Sequence, residues 1–298
     1  MQSITSIIVE LIIRHTGVKK RNNTLLPKRI ERAAAPPNHP PPKKFLQRYR
    51  IEEHNIAGSR LWLFGPKTRP VNNWIYYIHG GAFVDGMMPA HWLFLEKLVR
   101  DTDALIAVPD YPLTPKANAE QAMDALLAGY DFFTQQGAAE SVTCMGDSSG
   151  GGMCVVLAQQ LAQRSLPAPA QLILLCPWLD ISLQNPDIIE LDKVDPFLGL
   201  EGLHSVAHWY SSRLGLDHPL ANPMRTPHTD LPPITLFIGS RDLLQPDCKT
   251  FRDSVEASGG NIDFQCFPNM LHLWMFLPVK EAKPVYRQVI AKLNPHRQ

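Results

Sequence analysis

The chain has 298 residues, 45% of them hydrophobic, which suits one domain with a sizeable core. Its 29 Lys+Arg against 28 Asp+Glu leave a formal charge of +1, excluding the strongly basic balance of a nucleic-acid binder and a long acidic tail. Five scattered cysteines without C-x-x-C spacing argue against a disulfide framework or a zinc site, and fit a reducing, cytoplasmic setting.

Ile4, Ile7, Ile8, Leu11 and Ile12 recur at helical spacing. No Lys or Arg precedes them, Glu10 interrupts them and no small-residue cleavage site follows, so the segment reads as an amphipathic helix lying on the domain rather than a secretion signal. No run approaches the ~18 apolar residues that a membrane helix needs, so no stable membrane insertion is expected. Lys19-Lys20-Arg21 and Lys28-Arg29 read as a solvated face, and Pro36 to Pro42 as extended linker. Strands are expected over about 46–54 and 59–65, with a turn at Gly58.

Buried strands follow at Trp74–Ile78, Leu105–Val108, Val142–Met145, Gln171–Leu175 and Ile234–Ile238. Helical patterns cover about 118–134, 149–164, 246–258 and 279–293, while Ile262, Phe264 and Cys266 alternate as a half-exposed edge strand. This alternation predicts an α/β architecture: a mostly parallel sheet with helices on both faces. The interval 183–218 breaks the rhythm. It is helical, carries Phe197, Trp209 and Tyr210, and reads as an insertion over the carboxyl ends of the strands, where open α/β sheets keep their ligands.

Gly146-Asp147-Ser148-Ser149-Gly150 stands between a strand and a helix, the setting of a nucleophile elbow. Only Ser148 satisfies G-x-S-x-G, because centring on Ser149 would need glycine at Asp147. The glycine-rich turn lacks the Lys-Ser/Thr pair of a Walker phosphate loop. The run also resembles the Gly-Asp-Ser-Gly-Gly-Pro of trypsin-like proteases, but the helix behind the serine opposes a two-barrel fold. Directly after the Trp74–Ile78 strand comes His79-Gly80-Gly81-Ala82-Phe83, suited to an oxyanion loop. Gly81, Ala82 and Ser149 are the expected N–H donors, Gly80 shapes the turn, and His79 is a structural hydrogen-bonder. Asp242 and His272 follow later strands in the order Ser, Asp, His, and complete a catalytic set with Ser148. Asp247 reads as a helix cap and Asp110 as a loop stabiliser; His204 and His208 lack the Glu and third ligand of a zinc site. Since a general base must be neutral, activity should fall on acidification near the ordinary histidine value of ~6.5.

Together these residues resemble the hormone-sensitive-lipase-like branch of the α/β-hydrolases, the GDXG lipolytic enzymes, from about residue 70 to the C-terminus. The likeness rests on His79-Gly80-Gly81, Asp110-Tyr111, Gly146-Asp147-Ser148-Ser149-Gly150-Gly151, Pro177-Trp178-Leu179-Asp180, Asp242 and His272. Ala82 replaces the family's third loop glycine, Ser149 its usual alanine, and Pro112, Thr114 and Lys116 depart from its Asp-Tyr-Arg-Leu-Ala-Pro-Glu loop. The resemblance implies an α/β-hydrolase fold over a single domain, 1–298, with a cap from about 1–45 and 183–218. It also implies hydrolysis of short-chain carboxylic esters without a cofactor, on a small-molecule ester, by a monomer or homodimer. An amidase or arylformamidase is the nearest alternative. A non-catalytic receptor on this fold is disfavoured by His272, and no large apolar lid of a membrane-associated lipase is visible.

Overall fold

Short apolar runs separated by amphipathic segments build one eight-stranded sheet, in a computed structural model that describes residues 2–31, 38–137 and 141–294. The strands are β1 (Tyr49–Ile56), β2 (Ser59–Pro66), β3 (Asn73–Ile78), β4 (Ala104–Asp110), β5 (Val142–Asp147), β6 (Gln171–Leu175), β7 (Ile234–Gly239) and β8 (Ile262–Phe267), in the order β1-β2-β4-β3-β5-β6-β7-β8. β1 and β2 run antiparallel to their neighbours; β3 to β8 pair in parallel. Every residue of β5 and β7 is buried, so the centre of the sheet is covered on both faces. β8 is the partly exposed edge.

The helices are α1 (Ile4–Thr16), α2 (Val18–Glu31), α3 (Pro89–Thr102), α4 (Ala119–Thr134), α5 (Ser149–Gln163), α6 (Ile188–Val194), α7 (Leu200–Tyr210), α8 (Gln245–Ala257) and α9 (Ala282–Leu293). The strand order reverses beside β3, since β4 lies on one side of it and β5 on the other. The loops leaving β3 and β5 therefore open a crevice between them, and it holds both glycine motifs.

Three expectations need correction. A 3₁₀ turn occupies Lys43–Gln47, so β1 begins at Tyr49 rather than near 46. The sequence reading had no helix at Pro89–Thr102, although proline opens α3 and His91, Trp92, Leu95, Leu98, Val99 and Thr102 are buried on it. The third concerns α1, which lies on the domain through its polar side. Ser6, Glu10 and Ile13 face inward, while Ile4, Ile7, Ile8, Leu11 and Ile12 are 45–77% exposed. Glu10 receives two hydrogen bonds of 2.7 Å from Arg241, and Ser3 donates to Glu281 through both N–H (2.6 Å) and hydroxyl (2.8 Å). Burial opposes the Glu10 charge, but the guanidinium groups of Arg241 and Arg14 prevail and hold its pKa at about 2. Residues 38–42 carry no regular structure; Pro36 and Pro37 of the expected linker lie outside the described residues.

The 183–218 segment folds as α6 and α7 between β6 and β7 and meets the N-terminal helices. Asn23 accepts the Gly202 N–H (3.0 Å), Asn22 donates to the Phe197 carbonyl (3.1 Å), and Lys19 pairs with Asp192 (3.0 Å).

Candidate active site

β5 ends at Asp147 and α5 begins at Ser149, so the whole reversal rests on Ser148, whose φ of 49° lies in the left-handed region that side chains avoid. The strain is held by the backbone: the Ser148 N–H donates to Leu175 (2.9 Å), and its carbonyl accepts from Gly151 (3.0 Å) and Trp178 (2.8 Å). Gly150 has no alternative here, because a Cβ would sit 2.1 Å from the Ile78 carbonyl oxygen. The close approach of the elbow to the end of β3 requires glycine at this position.

The three sequence-predicted side chains meet. Ser148 Oγ lies 3.0 Å from His272 Nε2, and His272 Nδ1 lies 2.7 Å from Asp242 Oδ2. Nδ1–H donates to the carboxylate, leaving Nε2 as acceptor for the serine hydroxyl. Asp242 and His272 are buried, and the second Asp242 oxygen accepts the Leu244 N–H (3.0 Å). Burial works against the imidazolium, but the Asp242 carboxylate outweighs it and His272 titrates above its ordinary value.

Among the described residues, nothing accepts a hydrogen bond from the backbone N–H of Gly81, Ala82 or Ser149. Gly80 differs: its N–H donates to Asp147 Oδ1 at 2.9 Å, which fits the turn-shaping part expected of it within the oxyanion loop and not that of a donor. His79 is the expected structural group. Its Nδ1 bonds the Gly80 carbonyl (2.8 Å), its ring stacks on Tyr111 (4.5 Å between centroids), and burial lowers its pKa to about 4. Asp110 accepts from Arg60 (2.8 Å) and Asn38 (2.7 Å), securing its loop.

Several residues here escaped the sequence reading. Asp147, the variable position of G-x-S-x-G, is buried and accepts from Tyr77 (2.6 Å) and Gly80, with His91 Nε2 at 3.3 Å. It ties the elbow to the glycine loop. Its signal was the motif itself; His91 was hidden with α3. Asp195, at the end of α6, accepts from Phe197 (2.7 Å), Leu198 (3.0 Å) and Leu243 (2.9 Å). Burial and the neighbouring Asp242 raise its pKa to about 6. No local pattern announces a contact that spans 48 residues.

Ser148 and His272 open into a cavity of about 490 Å³ whose lining also includes Val18, Leu26, Phe197 and Leu203. Tyr210 of α7 stacks on Phe83 of the glycine loop at 3.6 Å. Cys176, Asp242 and His272 are the one group among the described residues with metal-ligand spacing. Asp242 and His272 hold each other, however, and burial keeps the Cys176 thiol protonated, so the donor set suits a proton relay better than an ion.

The "Esterase" of Acinetobacter venetianus is 29% identical over 198 residues, 66% of this chain and 65% of that protein. An "Acetyl-hydrolase" of Streptomyces hygroscopicus is 27% identical over 201 residues, 67% of each. The crystal structure of a putative esterase from Staphylococcus aureus superposes with a TM-score of 0.81 at 26% identity, covering 86% of this chain and 87% of that one. The match to the first relative thus spans just under two thirds of that protein. Residues 75–276, which include the elbow, the glycine loop, Asp242 and His272, match the family described as having the alpha/beta hydrolase fold, and the chain belongs to it.

Proposed function

We propose that this chain is a serine carboxylic-ester hydrolase of the hormone-sensitive-lipase-like branch, acting on short-chain acyl esters. The observation that carries the reading is the continuous line from Ser148 Oγ through His272 to Asp242, at 3.0 and 2.7 Å. Ser148 attacks the ester carbonyl while Nε2 of His272 takes its proton; Asp242 fixes the tautomer and stabilises the imidazolium. The tetrahedral oxyanion is met by the N–H groups of Gly81, Ala82 and Ser149, the last at the N-terminus of α5, where the helix dipole favours negative charge. The alcohol departs with the proton from His272, leaving an acyl-enzyme. Water, deprotonated by His272, then releases the acid and restores the serine. No step needs a metal or a cofactor.

In this reading α1, α2 and the 183–218 segment form a cap on a single domain, since α2 bonds α7 and Phe197, pairs with α6 through Lys19 and Asp192, and lines the cavity together with Phe197–Gly199 and α7. A cavity of about 490 Å³ suits a short acyl chain and a modest alcohol. The names of the Acinetobacter and Streptomyces relatives favour ester over amide chemistry. No helix among the described residues is long and apolar enough to cross a membrane. All five cysteines are free, four of them buried, which supports a cytoplasmic setting.

An acyl-length series of p-nitrophenyl esters, from acetate to palmitate, tests the proposal. Turnover should peak at the short end, and a fluorophosphonate should label Ser148 alone. Absence of both hydrolysis and labelling would sink it.

A further inference from the structure

We propose that the outward face of α1 is a docking surface for anionic phospholipid bilayers, through which the protein attaches to the lipid–water interface. A helix packed on a globular domain normally turns its apolar stripe inward. Here the stripe of Ile4, Ile7, Ile8, Leu11 and Ile12 faces water on the side opposite Glu10. The orientation is held at the start and at the middle of the helix, by Ser3 on Glu281 and by Glu10 on Arg241. Arg14 donates to the Val194 carbonyl at 2.8 Å, which sets the exposed Val194 at the end of α6 beside the C-terminal half of α1. Contiguous exposed aliphatic surface on this scale marks an interaction site rather than ordinary scatter.

Charge selects the occupant. Residues 1–31 contain six Lys and Arg against two acids; of these, Glu10 is held by Arg241 and Arg14, and Lys19 pairs with Asp192. Lys20 and Arg21 are exposed just beyond the C-terminal end of α1, and Lys280 and Lys283 are exposed beside its start, next to Glu281. An aliphatic strip bracketed by cations is complementary to an anionic headgroup layer above hydrocarbon. A second copy of the chain would bring the same cations against these, so like charges oppose self-association through this face. Since α1 continues through Gly17 into α2, whose Val18 and Leu26 line the catalytic cavity, docking would set that wall at the interface. Only this last consequence, delivery of membrane-dissolved esters, rests on the esterase reading; the binding does not.

The test uses the 298-residue chain carrying Ser148→Ala, so that lipid hydrolysis cannot intrude, with co-sedimentation on vesicles of phosphatidylcholine alone or mixed equally with phosphatidylglycerol. The protein should pellet with the mixed vesicles, stay in solution with phosphatidylcholine, and be released by salt that screens the headgroups. Adding Ile8→Glu and Leu11→Glu should lower partitioning by about tenfold or more. The same pair in the active chain should leave hydrolysis of soluble p-nitrophenyl acetate unchanged, which establishes that the fold is intact. Three results would overturn the proposal: no pelleting with anionic vesicles at low salt, equal pelleting of the double variant, or a wild-type dimer that the double variant converts to monomer.

Discussion

The crevice at the carboxyl ends of the strands and the helix α1 both bury carboxylates, but they do so with opposite consequences for the surface. In the crevice, Asp147 and Asp242 are buried with donors on both oxygens, and the surrounding aliphatic side chains are buried with them. On α1, Glu10 is buried against Arg241 and Arg14, and Ile4, Ile7, Ile8, Leu11 and Ile12 are left in water. A bidentate guanidinium–carboxylate pair has a fixed geometry and an unpaired buried charge is costly, so the pair decides which way the helix faces. Charge partners outrank the hydrophobic stripe there. In the crevice the two act together.

The largest expected effect removes the crevice chemistry while sparing its packing. Ser148→Ala should cut kcat on p-nitrophenyl butyrate by about 10⁶, and Asp242→Ala by about 10⁴, with little change in the melting temperature of the serine variant. Undiminished turnover in Ser148→Ala would refute the nucleophile assignment. The gap between the two has a structural source. Serine supplies the attacking atom, whereas the aspartate acts through the imidazole at 2.7 Å.

Glu10→Gln breaks the other side of the comparison. Gln keeps the shape but not the charge, so two charge-assisted bonds to Arg241 weaken. Unfolding free energy in urea should fall by about 1–3 kcal/mol at pH 7. Because the folded pKa is depressed to about 2 from 4.5, this stabilisation is complete above the ordinary carboxylate range and disappears as pH falls through about 2. Wild type and variant should therefore converge in acid. A difference that persists undiminished at low pH would assign the effect to packing instead.

What the sequence made legible follows the same division. Ser148, Gly81, Ala82, Asp242 and His272 sit on strand-to-loop transitions whose local patterns are strong, and the chain order of the family places them. Helix α3 was legible in principle, through Pro89 and the repeat of buried residues after it, but its start has no side-chain N-cap of the usual kind. The direction in which α1 faces was not legible. Periodicity defines a face without saying what covers it, and the partners that decide it, Arg241 and Glu281, are 231 and 278 residues away. Asp195 was hidden for the same reason.

The smallest predicted effect joins the two regions, because Asp195 belongs to the inserted segment yet touches the acid loop. Its Oδ2 accepts the Leu243 N–H beside Asp242, and its Oδ1 fixes the Phe197–Leu198 backbone that lines the cavity. The carboxylates of Asp242, Asp195 and Asp147 all favour the imidazolium form of His272 and together outweigh its burial. The acid limb of kcat/KM should therefore lie above histidine's ordinary ~6.5 rather than at it, since the base is inactive until it loses its proton. Asp195→Asn removes one of those charges. With less to stabilise the imidazolium, the pKa of His272 falls and the limb moves toward lower pH, while kcat at the alkaline plateau changes less than in Asp242→Ala. Comparison with Asp195→Ala separates charge from backbone anchoring. Both variants lose the charge and should shift the limb alike; asparagine keeps one acceptor for Phe197 and Leu198 and gives up only the Leu243 bond, whereas alanine loses both and should raise KM further. A limb that stays in place in both variants would show that Asp195 holds the loop without tuning the base.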